Sequence, residues 1–481
     1  MDSSYEEKLE SWIHKEKTGV NLLNTIGNLM YEKGIELVFY RKKLLEIGVS
    51  ELLNYFSYSK NVIGRENNIE IALSISNKIH EMNLPPSKID IGLLTSEFIE
   101  LNNPQISYQD FLEDKLLHII KSNNSKNKAK DVILYGFGRI GRLVARELII
   151  QAGKGQQLRL KAIVVRNLNK SQIIKRADLF KNDSVHGSFK GVVELDLENE
   201  SIIVNGQKIK FINGQEPEKI DYTRYNINDS LLIDNTGVYN DRIKLSKHLK
   251  SAGVSKVLLT APAAGVPNIV YGVNSKDLEV DNENIFSAAS CTTNCIAPIL
   301  KVIEDKFNIY SGHLETVHSY TNDQNLLDNM HKKPRRGRSA AINMVITSTG
   351  AGKAVTKVIP SLQGKLTANA VRVPTPNVSL AILNLKLSNS TSIDEINENI
   401  RYAALNGNLV NQINYQIEPD LVSSDIIGNT CCAVFDSNAT IVSENGTEAV
   451  LYTWYDNEFG YSKQVIRLAK QIAKVRRLTY Y

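Results

Sequence analysis

At 481 residues the chain has room for two or three domains of ordinary size, roughly 100 to 200 residues each. Hydrophobic residues make up 42% and charged residues 23%, which excludes a disordered or fibrous chain. Lys and Arg exceed Asp and Glu by only 57 to 52, too slight an excess to point to a nucleic acid, though it suits a site that receives small phosphates.

Four cysteines, Cys291, Cys295, Cys431 and Cys432, are too few for a disulfide framework, and none falls in a metal-ligand array. A reducing compartment and no metal site are expected. The start, Met1-Asp2-Ser3-Ser4-Tyr5-Glu6-Glu7, lacks the basic-then-apolar pattern of a secretion signal, and no apolar run reaches membrane-spanning length. The expectation is a cytoplasmic protein without a membrane partner.

Residues 1–125 read as a helical extension, because Leu22, Ile26 and Leu29 share one face and Leu112, Leu116 and Ile119 repeat that spacing. Ser107 followed by Asp110 resembles a capping box, and the polar stretch 122–130 reads as a linker. No catalytic constellation appears in this part. Beyond it the texture changes to short β runs alternating with helices: Val132 to Tyr135, a helix to about Ala152, then Leu158 to Val165. This predicts an α/β fold with a Rossmann-type parallel sheet over 130–289. The alternation of His313 to Tyr320 and of Val378 to Leu387 predicts longer strands of a mixed or antiparallel sheet, hence an α+β domain over 290–457. Val465, Leu468, Ile472 and Val475 form a helical stripe, so a terminal helix over 458–481 is expected to pack back onto the first sheet.

Gly136-Phe137-Gly138-Arg139-Ile140-Gly141 follows a predicted strand and opens a predicted helix. In that setting the glycines permit a tight turn and close approach of backbone to a pyrophosphate, whose charge is favoured at the helix start. At the end of the second strand a site for NAD usually offers a carboxylate to the ribose, but the chain reads Val165-Arg166-Asn167-Leu168. Arg166 suits a 2′-phosphate and Asn167 either ribose, so NADP is expected alone or beside NAD; the plain alternative is an arginine pointing into solvent.

Ser290-Cys291-Thr292-Thr293-Asn294-Cys295 precedes an apolar helical run, placing Cys291 where the helix dipole and unpaired N–H groups favour a thiolate. Cys295 reads as a small buried hydrophobe one turn deeper. A thiol of this kind needs a base, and His318 lies on a predicted strand shortly after the helix; taken alone it reads equally as an ordinary core histidine.

Together these residues resemble the glyceraldehyde-3-phosphate dehydrogenase family. The matching segments are GFGRIGR at the nucleotide turn, SVHGSFKG from Ser184, SCTTNCIAP from Ser290, VHSYTNDQ from Val317, RRGRSAA from Arg335, STGAGKAVTKVIP from Ser348, RVPTPNVS from Arg372 and WYDNEFGYS from Trp454. They run from about Asp131 to the end of the chain, so the resemblance says nothing of residues 1–125. It implies that Cys291 attacks an aldehyde with His318 as general base, and that inorganic phosphate cleaves the resulting thioester. It further implies Thr321 and Arg372 as ligands of the substrate phosphate, and Ser290, Thr292, Thr349, Gly350 and Arg336 as ligands of the attacking phosphate. Thr236, Gly237 and Asn457 are implied beside the cofactor, Asn457 on the nicotinamide carboxamide, with Tyr461 packed near the ring.

Two departures stand out. The ribose carboxylate is missing, and Leu327-Asp328-Asn329-Met330-His331 lacks the Leu-Pro pair of many NAD-specific members, in a loop that reaches a neighbouring subunit in the resembling family. Pro334 and Gly337 alter the stiffness of the same loop. The resemblance implies a homotetramer. A rival enzyme reading is erythrose-4-phosphate dehydrogenase, against which the full attacking-phosphate set argues. A reading of another class, a scaffold that recruits partners through its added helices, predicts decayed catalytic positions, yet Cys291, His318, Arg336 and Arg372 are present.

Overall fold

A computed structural model describes residues 4–64, 66–103, 105–122, 128–276 and 278–481. The chain forms two compact units: residues 1–129, 152–157 and 475–481 in one, and residues 130–151 and 158–474 in the other. Most of the polar stretch expected as a linker, residues 123–127, lies outside the described residues.

The first unit is mainly helical, as the spacing predicts. Tyr5–Asn28 is one helix, and Leu22, Ile26 and Leu29 are buried with Leu112, Leu116 and Ile119 in a single core. Ser107 caps the helix Tyr108–Lys115 by accepting from the Asp110 N–H at 3.1 Å, while the Asp110 carboxylate takes the Ser107 hydroxyl rather than closing a reciprocal backbone bond. The expectation that this unit is entirely helical is corrected in one respect. Glu36–Phe39, Lys42–Lys43 and Ser87–Asp90 are strands, the longest of four residues, too short for any alternation to register. A fourth strand, Leu478–Tyr480, pairs in parallel with Ser87–Asp90. The carboxyl-terminal helix therefore ends at Ile472 instead of reaching the last residue. Arg477, its side chain largely covered, pairs with Glu36, which Lys88 also meets at 3.0 Å.

In the second unit, β1 (Lys130–Tyr135), β2 (Leu158–Val165), β3 (Gln207–Asn213), β4 (Ser230–Asp234), β5 (Val254–Leu259) and β6 (Ile285–Ser287) form a parallel sheet in the order 3-2-1-4-5-6. Two short antiparallel strands extend its edge beyond β3. Val132 to Tyr135 and all of β4 are buried residue after residue, as expected of central strands covered on both faces. The order reverses between β1 and β4, where such sheets open a crevice at their carboxyl ends. Helix α1 (Arg139–Ile150) follows β1 directly. Two glycines make that turn possible: Gly136 has φ of 94°, and a Cβ on Gly141 would lie 2.4 Å from the Gly136 carbonyl oxygen.

Helix α2 (Cys291–Phe307) leaves β6 and packs against the second sheet. Pro298 lies inside it and has no N–H to give the Asn294 carbonyl; the Cys432 thiol donates to that oxygen instead, at 3.0 Å. The second sheet is mixed. β7 (Ile309–Ser319) pairs in parallel with β8 (Leu366–Val373) and antiparallel with β9 (Ser379–Leu387), which pairs with β10 (Glu448–Tyr455). Helix α3 (Ala351–Val358) precedes β8, and α4 (Phe459–Ile472) packs on α1, with Lys463 paired to Glu147.

Candidate active site

The sheet register assembles the site. His318 stands opposite Arg372 across β7 and β8, and Ser379 stands opposite Tyr455 across β9 and β10, so the ends of four strands bring these side chains together. Cys291 is the first residue of α2, with Ser290 as the cap accepting from the Thr293 N–H at 3.0 Å. The turn before it is held tightly. Ala289 adopts a left-handed φ of 54°, its carbonyl accepts from the Tyr461 hydroxyl at 2.9 Å, and the Asn294 amide donates to the carbonyls of Ala288 and Ser290. Tyr461, expected near a cofactor ring, also braces the cysteine turn through its hydroxyl.

Cys291 Sγ lies 3.8 Å from His318 Nε2. His318 Nδ1 is 2.7 Å from the Ser319 carbonyl oxygen, which can only accept, so the proton resides on Nδ1 and the Nε2 lone pair faces the sulfur. Burial, and after it the positive charges of Arg372 and Arg336, lower the imidazole from 6.5 to about 3, keeping it neutral near pH 7. Burial also pushes the Cys291 thiol up, against the pull of Arg372. Cys291 keeps part of its surface exposed while its sulfur sits deep. Cys295 is fully buried and its thiol is raised further, in keeping with a packing role.

Around this pair, Arg372 Nη1 donates to the Ser319 carbonyl at 2.8 Å and to Thr321 Oγ1 at 3.3 Å, so Arg372 and Thr321 are together as expected. Arg336 donates to Thr347 Oγ1 at 3.0 Å and pairs with Asp323, an acid the sequence reading passed over although it lies inside the VHSYTNDQ segment. Thr349 and Gly350 open α3: the Thr349 hydroxyl accepts from the Ala351 N–H, and Gly350 is the cap residue without a side chain to fill the end. Thr292 is different. Its hydroxyl is buried against the Tyr455 hydroxyl at 2.9 Å, which leaves its backbone N–H, not its side chain, for an anion at the helix start. Tyr455, whose ring meets His318 edge-on at 6.0 Å, was also missed, because a tyrosine on an alternating strand reads as core.

The dinucleotide turn sits at the reversal point of the first sheet. Gly138 caps α1 without any side-chain bond, and a Cβ there would meet nothing within 4 Å, so the first N–H groups of α1, those of Arg139, Ile140 and Gly141, begin beside open space that fits a pyrophosphate. The guanidinium of Arg139, a residue expected at the cofactor, makes two 2.5 Å bonds to Glu458 and one of 3.2 Å to Asp183, which leaves its backbone N–H at the turn. Thr236 and Gly237 follow β4 across the crevice, Thr236 fixed by N–H and hydroxyl bonds of 2.7 Å to Asp234, Gly237 with φ of 66°. Arg166 and Asn167 lie exposed after β2, and Asn167 is left-handed with φ of 55°. Asn457 is buried, its Oδ1 accepting two serine hydroxyls.

Family descriptions match both halves of the second unit: "Glyceraldehyde 3-phosphate dehydrogenase, NAD binding domain" over residues 130–242 and "Glyceraldehyde 3-phosphate dehydrogenase, C-terminal domain" over residues 290–457. A glyceraldehyde-3-phosphate dehydrogenase-like protein of Pseudomonas aeruginosa (strain UCBPP-PA14) is 44% identical over 458 residues, 94% of this chain and 98% of the relative. Glyceraldehyde-3-phosphate dehydrogenase of Zymomonas mobilis is 40% identical over 348 residues, and glyceraldehyde-3-phosphate dehydrogenase 1 of Bacillus subtilis (strain 168) is 42% identical over 347; each alignment covers 72% of this chain and 99% of the relative. The Pseudomonas alignment is long enough to take in most of the amino-terminal unit as well. Since both domains are matched in chain order and these relatives are covered almost end to end, the chain belongs to the glyceraldehyde-3-phosphate dehydrogenase family, as an oxidoreductase with a nicotinamide dinucleotide cofactor.

Proposed function

We propose that the protein oxidises D-glyceraldehyde 3-phosphate to 1,3-bisphosphoglycerate, with inorganic phosphate as second substrate and a thioester on Cys291 as intermediate. The observation that carries this reading is the 3.8 Å approach of the Cys291 sulfur to a His318 nitrogen whose lone pair is fixed by the bond on the other side of the ring. Nε2 takes the thiol proton as sulfur attacks the aldehyde carbon, and the imidazolium returns it to the developing alkoxide, giving a thiohemiacetal. His318 then removes the hydroxyl proton as hydride departs, leaving the acyl thioester. When bound, the nicotinamide dinucleotide supplies the hydride acceptor. A phosphate oxygen next bonds to the acyl carbon, the carbon–sulfur bond breaks, and sulfur regains its proton.

Two anions must be held near one thiol. Arg372 and Thr321 bind the phosphate of the aldehyde; Ser290, Arg336, Thr349, Gly350 and the Thr292 N–H bind the attacking phosphate. The dinucleotide rests on Gly136, Gly138, Ile140, Gly141, Thr236 and Gly237, with Asn457 on the nicotinamide amide. No carboxylate follows β2 to repel a 2′-phosphate, and Arg166 is exposed beside it, so the site accepts NADP as well as NAD. The protein assembles as a homotetramer, a reading supported by a loop that exposes Leu326, Leu327, Met330, Ile342 and Met344, each above 70%. All four cysteines are free and no helix among the described residues is long and apolar enough to cross a membrane, which supports the cytoplasm as its location.

The test is cofactor reduction measured with and without phosphate, with both cofactors and with both glyceraldehyde 3-phosphate and erythrose 4-phosphate. Turnover of the three-carbon aldehyde must depend on phosphate. A rate that ignores phosphate, or one that favours the four-carbon aldehyde, overturns the assignment.

A further inference from the structure

Asn457 is held by two hydroxyls that the sequence does not single out. Ser319 Oγ donates to Asn457 Oδ1 at 2.9 Å and Ser379 Oγ donates to the same oxygen at 3.0 Å; both serines are buried, at 0% and 2% exposure. The roles are not interchangeable. The Ser319 N–H donates to Ser379 Oγ at 3.2 Å, so that oxygen is already an acceptor and its own proton is turned towards Asn457.

We propose that Ser319 and Ser379 are positioning residues that lock the Asn457 carboxamide with its N–H groups facing the cofactor, and thereby set both the affinity for the nicotinamide ring and the ring face that receives hydride. The inference rests on the reading of Asn457 as the partner of the nicotinamide amide. Were the amide to turn over, Nδ2 would face both serine oxygens, and both serine hydroxyl protons would lose Asn457 Oδ1 as their acceptor. At least one buried hydrogen bond is lost in that arrangement. The clamp is separable from the base: His318 and Arg372 are bonded to the carbonyl of Ser319, which survives replacement of its side chain.

The experiment compares Ser319→Ala, the double variant Ser319→Ala/Ser379→Ala and Asn457→Ala in the full-length protein. It reads cofactor KM, kcat, the pH profile of kcat, and the share of deuterium delivered from 1-deuterated aldehyde to each face of the ring. The double variant is expected to raise cofactor KM about tenfold, equivalent to about 1.4 kcal/mol, and to deliver deuterium to both faces, with the pH profile of kcat unmoved. Ser319→Ala leaves the Ser379 hydroxyl in place and produces a smaller change of the same kind. A general packing defect would lower yield or stability without redistributing deuterium. If Asn457→Ala raises cofactor KM while the double variant keeps KM and single-face delivery, the clamp is refuted and the reading of Asn457 stands; if Asn457→Ala leaves KM unchanged, both fall. Should the double variant not fold, Ser319→Ala decides, and unchanged KM with single-face delivery in it refutes the clamp.

Discussion

His318 and Arg372, opposite one another on parallel strands, donate to one and the same oxygen, the carbonyl of Ser319, at 2.7 and 2.8 Å. One acceptor therefore sets the tautomer of the base and the aim of the arginine. Burial first, and the guanidinium of Arg372 second, hold the imidazole far below its usual range, against the upward pull of that carbonyl.

That depression has a consequence for stability. The unfolded chain binds a proton on this histidine near pH 6.5 and the folded chain only near pH 3, so the contribution is fully present above pH 6.5 and is lost as the pH falls towards 3. Urea unfolding midpoints of the wild type and His318→Gln should converge as the pH falls from 7 to 4. Parallel lines would mean that the imidazole is not depressed.

Replacing Cys291 by Ala should leave the fold intact and lower oxidation by three orders of magnitude or more, roughly the cost of removing a covalent nucleophile. The check is steady-state cofactor reduction alongside a thermal melt. A residual rate within tenfold of wild type would rule out covalent catalysis at this position.

Arg372→Lys keeps the charge but replaces the planar guanidinium, whose Nη1 reaches both the Ser319 carbonyl and Thr321, by a compact ammonium on a flexible stem. The expected outcome is a rise in KM for the aldehyde phosphate of about tenfold to a hundredfold, from the loss of one or two charge-assisted bonds, with a smaller change in cofactor KM. An equal change in both constants would point to a general disturbance of the site instead.

Ala289 precedes the cap of α2 in a backbone region that disfavours a side chain. Ala289→Gly should raise thermal stability or leave it level, the relieved strain of about 1 kcal/mol being partly offset by greater freedom in the unfolded chain. Tyr461→Phe, which removes the hydroxyl holding that carbonyl, should lower kcat severalfold without changing KM for phosphate. Both are read by a melt and by saturation kinetics.

Much of this was legible beforehand, for reasons specific to each element. The run Val132 to Tyr135 and the glycine turn after it fix a parallel-sheet nucleotide half, because buried strands and tight turns leave strong local marks. Cys291 and His318 were readable only through the segments around them, since nothing local says that β7 delivers the histidine to the helix start. The ion pairs of the Arg139 guanidinium were not legible, because its partners, Asp183 and Glu458, are 44 and 319 residues away in sequence. That the Thr292 hydroxyl is turned to Tyr455 was not legible either, since Tyr455 is 163 residues distant. The strands of the amino-terminal unit escaped notice because two to four residues carry no period.

Removal of the last six residues should weaken the amino-terminal unit rather than the nucleotide sheet, because it deletes the strand paired with Ser87–Asp90 and the Arg477 partner of Glu36. Limited proteolysis should then cut between residues 36 and 90 sooner than in the intact chain. Unchanged protection there would show the terminal strand to be dispensable.

The strand Leu478–Tyr480 belongs to a sheet whose other members are made from the first ninety or so residues. During synthesis, then, the part of the protein that leaves the ribosome first waits longest for its final piece. A chain that loses residues 478–480 to an exopeptidase bares the edge of Ser87–Asp90, an unpaired β edge open to pairing with another strand.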